Sequence, residues 1–182
     1  TVDLSAFYFD IRKDALYCDS KDTERRKGCI IVLNIILESL IKWFAPILSF
    51  TTEEIFTLIS KDNKSIHLEA FIEFPKSFEN EQLNQKWIKL KKIRDICNIS
   101  IEAKRASKEI GSSLETNLII SLNKNLIELI KNIDMAELCI TSTAELIETT
   151  SNETTAQTKK AEGEKCAVCW KITKNGCARH PN

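Results

Sequence analysis

The chain has 182 residues, with 26 Lys and Arg balanced by 26 Asp and Glu, and it is 43% hydrophobic and 29% charged. That length holds one domain or two small ones, and zero net charge excludes a global field drawing it onto polyanions, so any such binding rests on local patches. The longest apolar stretch, Cys29 to Leu37 with Asn34 inside it, is about half a membrane span, which predicts no transmembrane segment. Four Gly and three Pro favour helix over a loop-rich β protein. The first residue is Thr and no secretory signal follows it. An opening of this kind reads as a piece of a longer chain.

Taken in order, Leu4, Phe7, Tyr8, Ile11 and Ala15 recur at the spacing of one helix face. A polar stretch, Asp19 to Lys27, follows. Cys29 to Phe44 predicts a helix apolar on most of its circumference, with Ile30, Leu33, Leu37, Leu40 and Phe44 as one ridge, as suits the middle of a bundle. Ala45-Pro46 ends it, because Pro lacks the amide donor and clashes with the preceding turn. Thr51 and Glu54 have capping-box spacing for a helix through Ile59, and Lys61 to Asn80 is less regular. A long helix is expected over residues 81–110, closed by Gly111 as its left-handed C′ residue. Its apolar residues change sides, from Leu83, Trp87, Leu90, Cys97 and Ile101 to Ile99, Ala103, Ala106 and Ile110, which predicts packing against two different partners.

Beyond it a small mixed unit is expected: a strand at Leu118, Ile120 and Leu122, a short helix over Leu126 to Ile133, and a second strand at Leu138-Cys139-Ile140. Residues 149–163 read as a linker, since Thr149 to Lys160 is too polar to bury anything. Residues 164–182 are too few to hold a core without a staple. The expected organisation is thus a helical bundle over 1–80, a long helix with a small α/β unit over 81–148, the linker and a terminal knuckle.

The chemistry-bearing inventory is thin. His67 and His180 lack a convincing nucleophile or acid partner, the glycines form no phosphate loop, and Glu53-Glu54 at a helix start is accounted for by the helix dipole. Of seven cysteines, Cys18, Cys29, Cys97 and Cys139 sit among apolar neighbours and read as small buried hydrophobes. Cys166 and Cys169 form a CxxC whose sulfurs can reach one tetrahedral zinc. Cys177 and His180 could complete the four ligands, or the second pair lies past the last residue. A redox CxxC would want a βαβ unit before it. Free thiols of this kind suit a reducing compartment, hence the cytoplasm. Lys86 to Lys108 carries eight basic residues against Asp95 and Glu102. Arg94, Arg105 and Lys108 fall within about 60° on a helical wheel, a stripe able to track phosphates. Trp170, with Lys171 beside it, offers a ring on which a base could stack. A solvated helix face accounts for the same charges.

Three segments resemble one known family. Asp3-Leu4-Ser5-Ala6-Phe7-Tyr8-Phe9-Asp10-Ile11, then Arg25-Arg26, then Trp43-Phe44-Ala45-Pro46 through Ser49-Phe50-Thr51-Thr52-Glu53-Glu54-Ile55, resemble the anticodon-binding helical domain of bacterial isoleucyl-tRNA synthetases. Arg105-Ala-Ser-Lys108-Glu-Ile110-Gly111-Ser-Ser113-Leu114-Glu115 is similar to the junction that follows that bundle, and Cys166 to Trp170 with His180-Pro181 is similar to its C-terminal zinc finger. In the family a second CxxC follows the His-Pro pair, so Cys166 and Cys169 match two ligands and Cys177 has no counterpart. The resemblance implies a mainly α chain: an anticodon-binding bundle, a small α/β junction unit and a partial zinc knuckle. It implies binding of isoleucine tRNA, by a chain expected to be monomeric and away from membranes. The clustering of charge makes Arg25, Arg26, Arg94, Arg105 and Lys108 the expected phosphate contacts, with Trp170 and Lys171 near the RNA. ATP and Mg would belong to the parent enzyme alone, since the nucleotide-binding signatures and editing domain are absent here, and no catalytic residue is expected in this chain. A stand-alone RNA-binding module of the same ancestry, a helical protein-interaction scaffold, and the equivalent valyl or leucyl region are the alternatives.

Overall fold

The computed structural model describes residues 2–60 and 64–180. The chain divides into two compact units: Asp19–Glu79 forms one, and Thr1–Cys18 with Asn80–Asn182 forms the other.

In the larger unit Val2–Phe9 winds at π pitch into α1 (Asp10–Cys18), which buries Ile11 and Ala15. Phe7 continues that face and meets Trp87 edge to face at 6.0 Å. The longest element is α4 (Glu81–Ala106). Its first-turn amides have no helical partners, and the Asn80 side chain accepts from the Leu83 N–H at 2.9 Å, as short polar N-cap residues do. Leu90, Ile93, Cys97 and Ile101 form its single buried stripe. The expected change of sides does not occur. Ile99 is 73% exposed, and Ala103 and Ala106 face solvent. Ile110 is buried, but it lies past the end of the helix.

α4 stops at Ala106, and the left-handed residue is Lys108 (φ 58) instead of Gly111. The Lys108 N–H donates to the Arg105 carbonyl at 3.0 Å and the Glu109 N–H to the Lys104 carbonyl at 3.2 Å, the paired bonds of a Schellman turn. Lys104 Nζ holds the Glu109 carboxylate at 2.8 and 3.0 Å, so an ion pair stands where an apolar contact is usual.

A three-stranded sheet packs on α4 in the order β2–β1–β3. β1 (Thr116–Leu122) alternates as expected and buries Leu118, Ile120 and Leu122. Its parallel neighbour is β2 (Thr143–Glu148). The crossover that parallel pairing requires is made by α5 (Lys124–Ile130) and α6 (Met135–Cys139). Leu138-Cys139-Ile140 is therefore not a strand. Asp134 caps α6 through the Glu137 N–H at 3.0 Å, and Ile140 (φ 56) ends it. A three-residue apolar run carries too little periodicity to separate strand from helix.

The linker expectation is also corrected. Thr155–Lys160 is β3, antiparallel to β1 along nearly its whole length. Ala156 packs on the core, Thr158 is buried, and the Thr158 hydroxyl meets the Ser100 hydroxyl at 2.7 Å. An edge strand beside an apolar central strand is held by its ladder, so polar side chains suffice.

In the smaller unit, α2 (Glu24–Phe44) ends before Pro46 as expected, and α3 (Ser49–Ile59) follows. There is no capping box at Thr51. The helix begins two residues earlier, and the Thr52 hydroxyl donates back to the Leu48 carbonyl at 3.0 Å. The core is Ile41, Ala45 and Ile66 with Ile55 and Phe56. Glu53 accepts from the Ser65 hydroxyl and the Ile66 N–H, both at 2.9 Å, and so fixes the short turn Ile66–Leu68. α2 is not enclosed. Ile30, Leu37 and Phe44 of its ridge are exposed, and Leu33 and Leu40 half-buried, because α3 and that turn cover only one side. Residues 61–63 of the irregular stretch lie outside the described residues.

Candidate metal centre and basic surface

The terminal segment is built on a small hairpin, β4 (Glu164–Lys165) with β5 (Ile172–Thr173). Gly163 enters it at φ +128, where a Cβ would collide with the Thr173 carbonyl. Inside the turn the Trp170 N–H donates to the Cys166 carbonyl at 3.0 Å and the Cys166 N–H to the Lys171 carbonyl at 2.9 Å. Trp170 takes φ 62. Buried Ser142 anchors the hairpin, accepting from the Ile172 N–H at 2.6 Å and donating to the Leu114 carbonyl.

This turn brings Cys166, Cys169, Cys177 and His180 together, with ligand atoms all within 4.8 Å of one another. Cys169 Sγ lies 3.7 Å from Cys177 Sγ, and His180 Nδ1 lies 3.5 Å from Cys166 Sγ and 3.3 Å from Cys177 Sγ. A tetrahedral ion about 2.3 Å from sulfur and about 2.0–2.1 Å from nitrogen sets its ligands about 3.5–3.8 Å apart. These three separations lie at or close to that spacing, and the four residues could hold one metal ion. His180 Nε2 lies 2.7 Å from the Cys18 carbonyl oxygen, the outer bond that orients metal-binding imidazoles. The amide of Cys169 pulls the Cys166 thiol down to about 6, whereas burial pushes Cys169 up to about 11. The spacing C-x₂-C-x₇-C-x₂-H was visible in the sequence. The Cys18 carbonyl, a backbone atom distant in sequence, was not.

The basic candidates separate into engaged and open groups. Arg25 grips Asp19 with two bonds, at 2.6 and 2.8 Å. Arg26 reaches the Asp19 carbonyl at 3.3 Å, and its Nε is buried with no hydrogen-bond partner. Arg94 donates to the Leu138 carbonyl at 2.9 Å and lies 5.3 Å from the Phe7 ring centre, so it ties α4 to α6. Arg105 pairs with Glu102 at 2.7 Å on an exposed face. Lys108 is exposed and makes no ion pair among the described residues. The expected stripe is not formed, since Arg94 is turned inward and Lys108 has left the helix. Trp170 is exposed, with Lys165 Nζ 5.4 Å from its ring centre, and Lys171 is half-buried. Trp170 and Lys171 edge a pocket of about 320 Å³ that also touches Tyr17, Leu114, Ile140 and Val168.

A mainly α chain with this tail invites comparison with known proteins. A model of the anticodon-binding domain of tRNA ligases matches residues 1–120, and the chain belongs to that family. Its relatives include isoleucine–tRNA ligases. That of Pelagibacter ubique is 71% identical over 180 residues, covering 99% of this chain and 20% of the relative. Those of Bartonella henselae and Agrobacterium fabrum are 39% and 38% identical, covering 95% and 94% of this chain and 19% of each relative. The chain thus spans about a fifth of the length of the curated relatives it matches. Among the described residues no helix is long and apolar enough to cross a membrane.

Proposed function

We propose that this chain holds the anticodon arm of isoleucine tRNA within a longer isoleucine–tRNA ligase, which joins isoleucine to its tRNA at the expense of ATP. The match of residues 1–120 to the anticodon-binding family carries the reading, and the names of the relatives supply the amino acid. Amino-acid activation, with its ATP and Mg, belongs to other parts of the enzyme, which works as a cytoplasmic monomer. By function the expected bundle over 1–80 narrows to residues 19–79, because residues 1–18 pack with 80–182. A junction over 81–148, a connection over 149–163 that contains β3 and a metal knuckle over 164–182 complete the organisation.

Phosphate contacts position an RNA, and unstacked loop bases are read by stacking and edge contacts. Arg105 and Lys108 have the exposure to meet phosphates, and half-buried Arg26, whose Nε is enclosed, would meet one through its terminal nitrogens. Arg25 acts through the Asp19 carboxylate it grips, and Arg94 through the Leu138 carbonyl it holds. Trp170 and Lys171 receive a base at the edge of the tail. The resident ion is zinc, held by Cys166, Cys169, Cys177 and His180, where it supplies structural cross-linking.

The test is charge reversal at Arg105 and Lys108 with tRNA affinity measured across several salt concentrations. The double variant is expected to bind on the order of tenfold more weakly at low salt, with the salt slope reduced by about 2. An unchanged affinity and slope would remove both residues from the interface.

A further inference from the structure

α1 meets the tail through contacts that a metal knuckle standing alone would not need. Asp14 accepts both outer nitrogens of Arg179, each at 2.8 Å. Cys18 directs its thiol at the Val168 carbonyl, 3.7 Å away, and its own carbonyl accepts from His180 Nε2 at 2.7 Å. Three tail positions are thus held by one turn of one helix, and all of these residues belong to the same compact unit.

The chemistry of the His180 contact gives it direction. A carbonyl oxygen can only accept, so Nε2 carries the proton and Nδ1 is left with its lone pair facing Cys166 and Cys177. That is the tautomer a metal ligand requires. Cys18 is the last residue of α1, where carbonyls lack helical partners and the helix dipole is negative. The end of α1 therefore both selects the tautomer and gains a donor. Arg179, next to the ligand, fixes the same segment through Asp14.

We infer that the metal centre is a latch between the tail and α1, with Asp14 and the Cys18 carbonyl as positioning groups for His180. The inference rests on the metal reading above. Coupling between sites is reciprocal: whatever factor the α1 contacts add to metal affinity, the metal adds to closure of the tail on α1. Metal loading thereby sets whether Trp170 and the pocket it shares with α1 exist in their present form.

Zinc affinity of the full 182-residue chain, measured against a chromophoric chelator, tests this. Asp14→Asn and Arg179→Gln, one on each side of the contact, should each weaken zinc on the order of tenfold, the range of outer-sphere partners. The charge-swapped pair Asp14→Arg with Arg179→Asp should recover most of that loss. Cobalt spectra should be the same in all variants, since the ligands are untouched, and zinc should slow alkylation of Cys18 in the parent chain more than in Asp14→Asn. A parent chain that binds no zinc overturns the metal reading and this inference together. A parent chain that binds one zinc, with single variants within twofold of it or a swap that recovers nothing, overturns the latch alone.

Discussion

Replacing Cys169 with serine is expected to abolish stoichiometric zinc binding and to unfold residues 163–180, leaving the helices and the three-stranded sheet intact. The tail buries almost nothing apolar of its own. Among its described residues only Cys169 is buried, and segments this short do not fold on hydrophobic burial alone. Its order must come from ligation, which in zinc-finger peptides is worth about 10–16 kcal/mol at neutral pH. Chelation of the parent chain should have the same effect. Amide exchange read by mass spectrometry checks both, with protection lost across β4, β5 and the intervening turn and kept in β1 and α4. Protection in the tail that survives both treatments would show that the hairpin and the Ser142 anchor hold it without metal.

The second large effect is expected at Ile120. It lies at the centre of β1, opposite Leu146 of β2 and Ala156 of β3, and it is fully buried with Leu118 and Leu122. Ile120→Ala removes buried methyl and methylene groups from a site closed in by both neighbouring strands, which relaxes poorly. The expected loss is about 2–5 kcal/mol, seen as a lower urea midpoint with an unchanged slope. A loss below about 1 kcal/mol would mean that the sheet does not pack on α4 as described.

The legible parts of the fold were those with strong local periodicity or punctuation. The alternation of Leu118, Ile120 and Leu122, the break at Ala45-Pro46 and the Leu90–Cys97–Ile101 stripe are set by neighbours in sequence. The parts missed were those decided across the chain. β3 is polar because its place is fixed by backbone pairing to β1. α4 ends at Ala106 in a turn with Lys108 left-handed and a lysine–glutamate pair across it, against the ordinary preference for glycine at a left-handed position. α2 looked like a bundle centre because its sequence is apolar all round, yet this unit covers only one side of it. At the candidate site, the CxxC and the Trp were plain in the sequence. That Cys177 and His180 come within reach of the CxxC needed the turn that folds them back, and the service of Arg94 as a tie to α6 needed the partner carbonyl.

The central claim is that this chain holds and reads an anticodon arm. Its most direct test compares zinc-loaded chain binding to an isoleucine tRNA transcript and to the same transcript with a foreign anticodon, over a series of salt concentrations. The account predicts binding that weakens steeply with salt and weakens further with the foreign anticodon. Equal affinity for the two transcripts, or binding indifferent to salt, would contradict it.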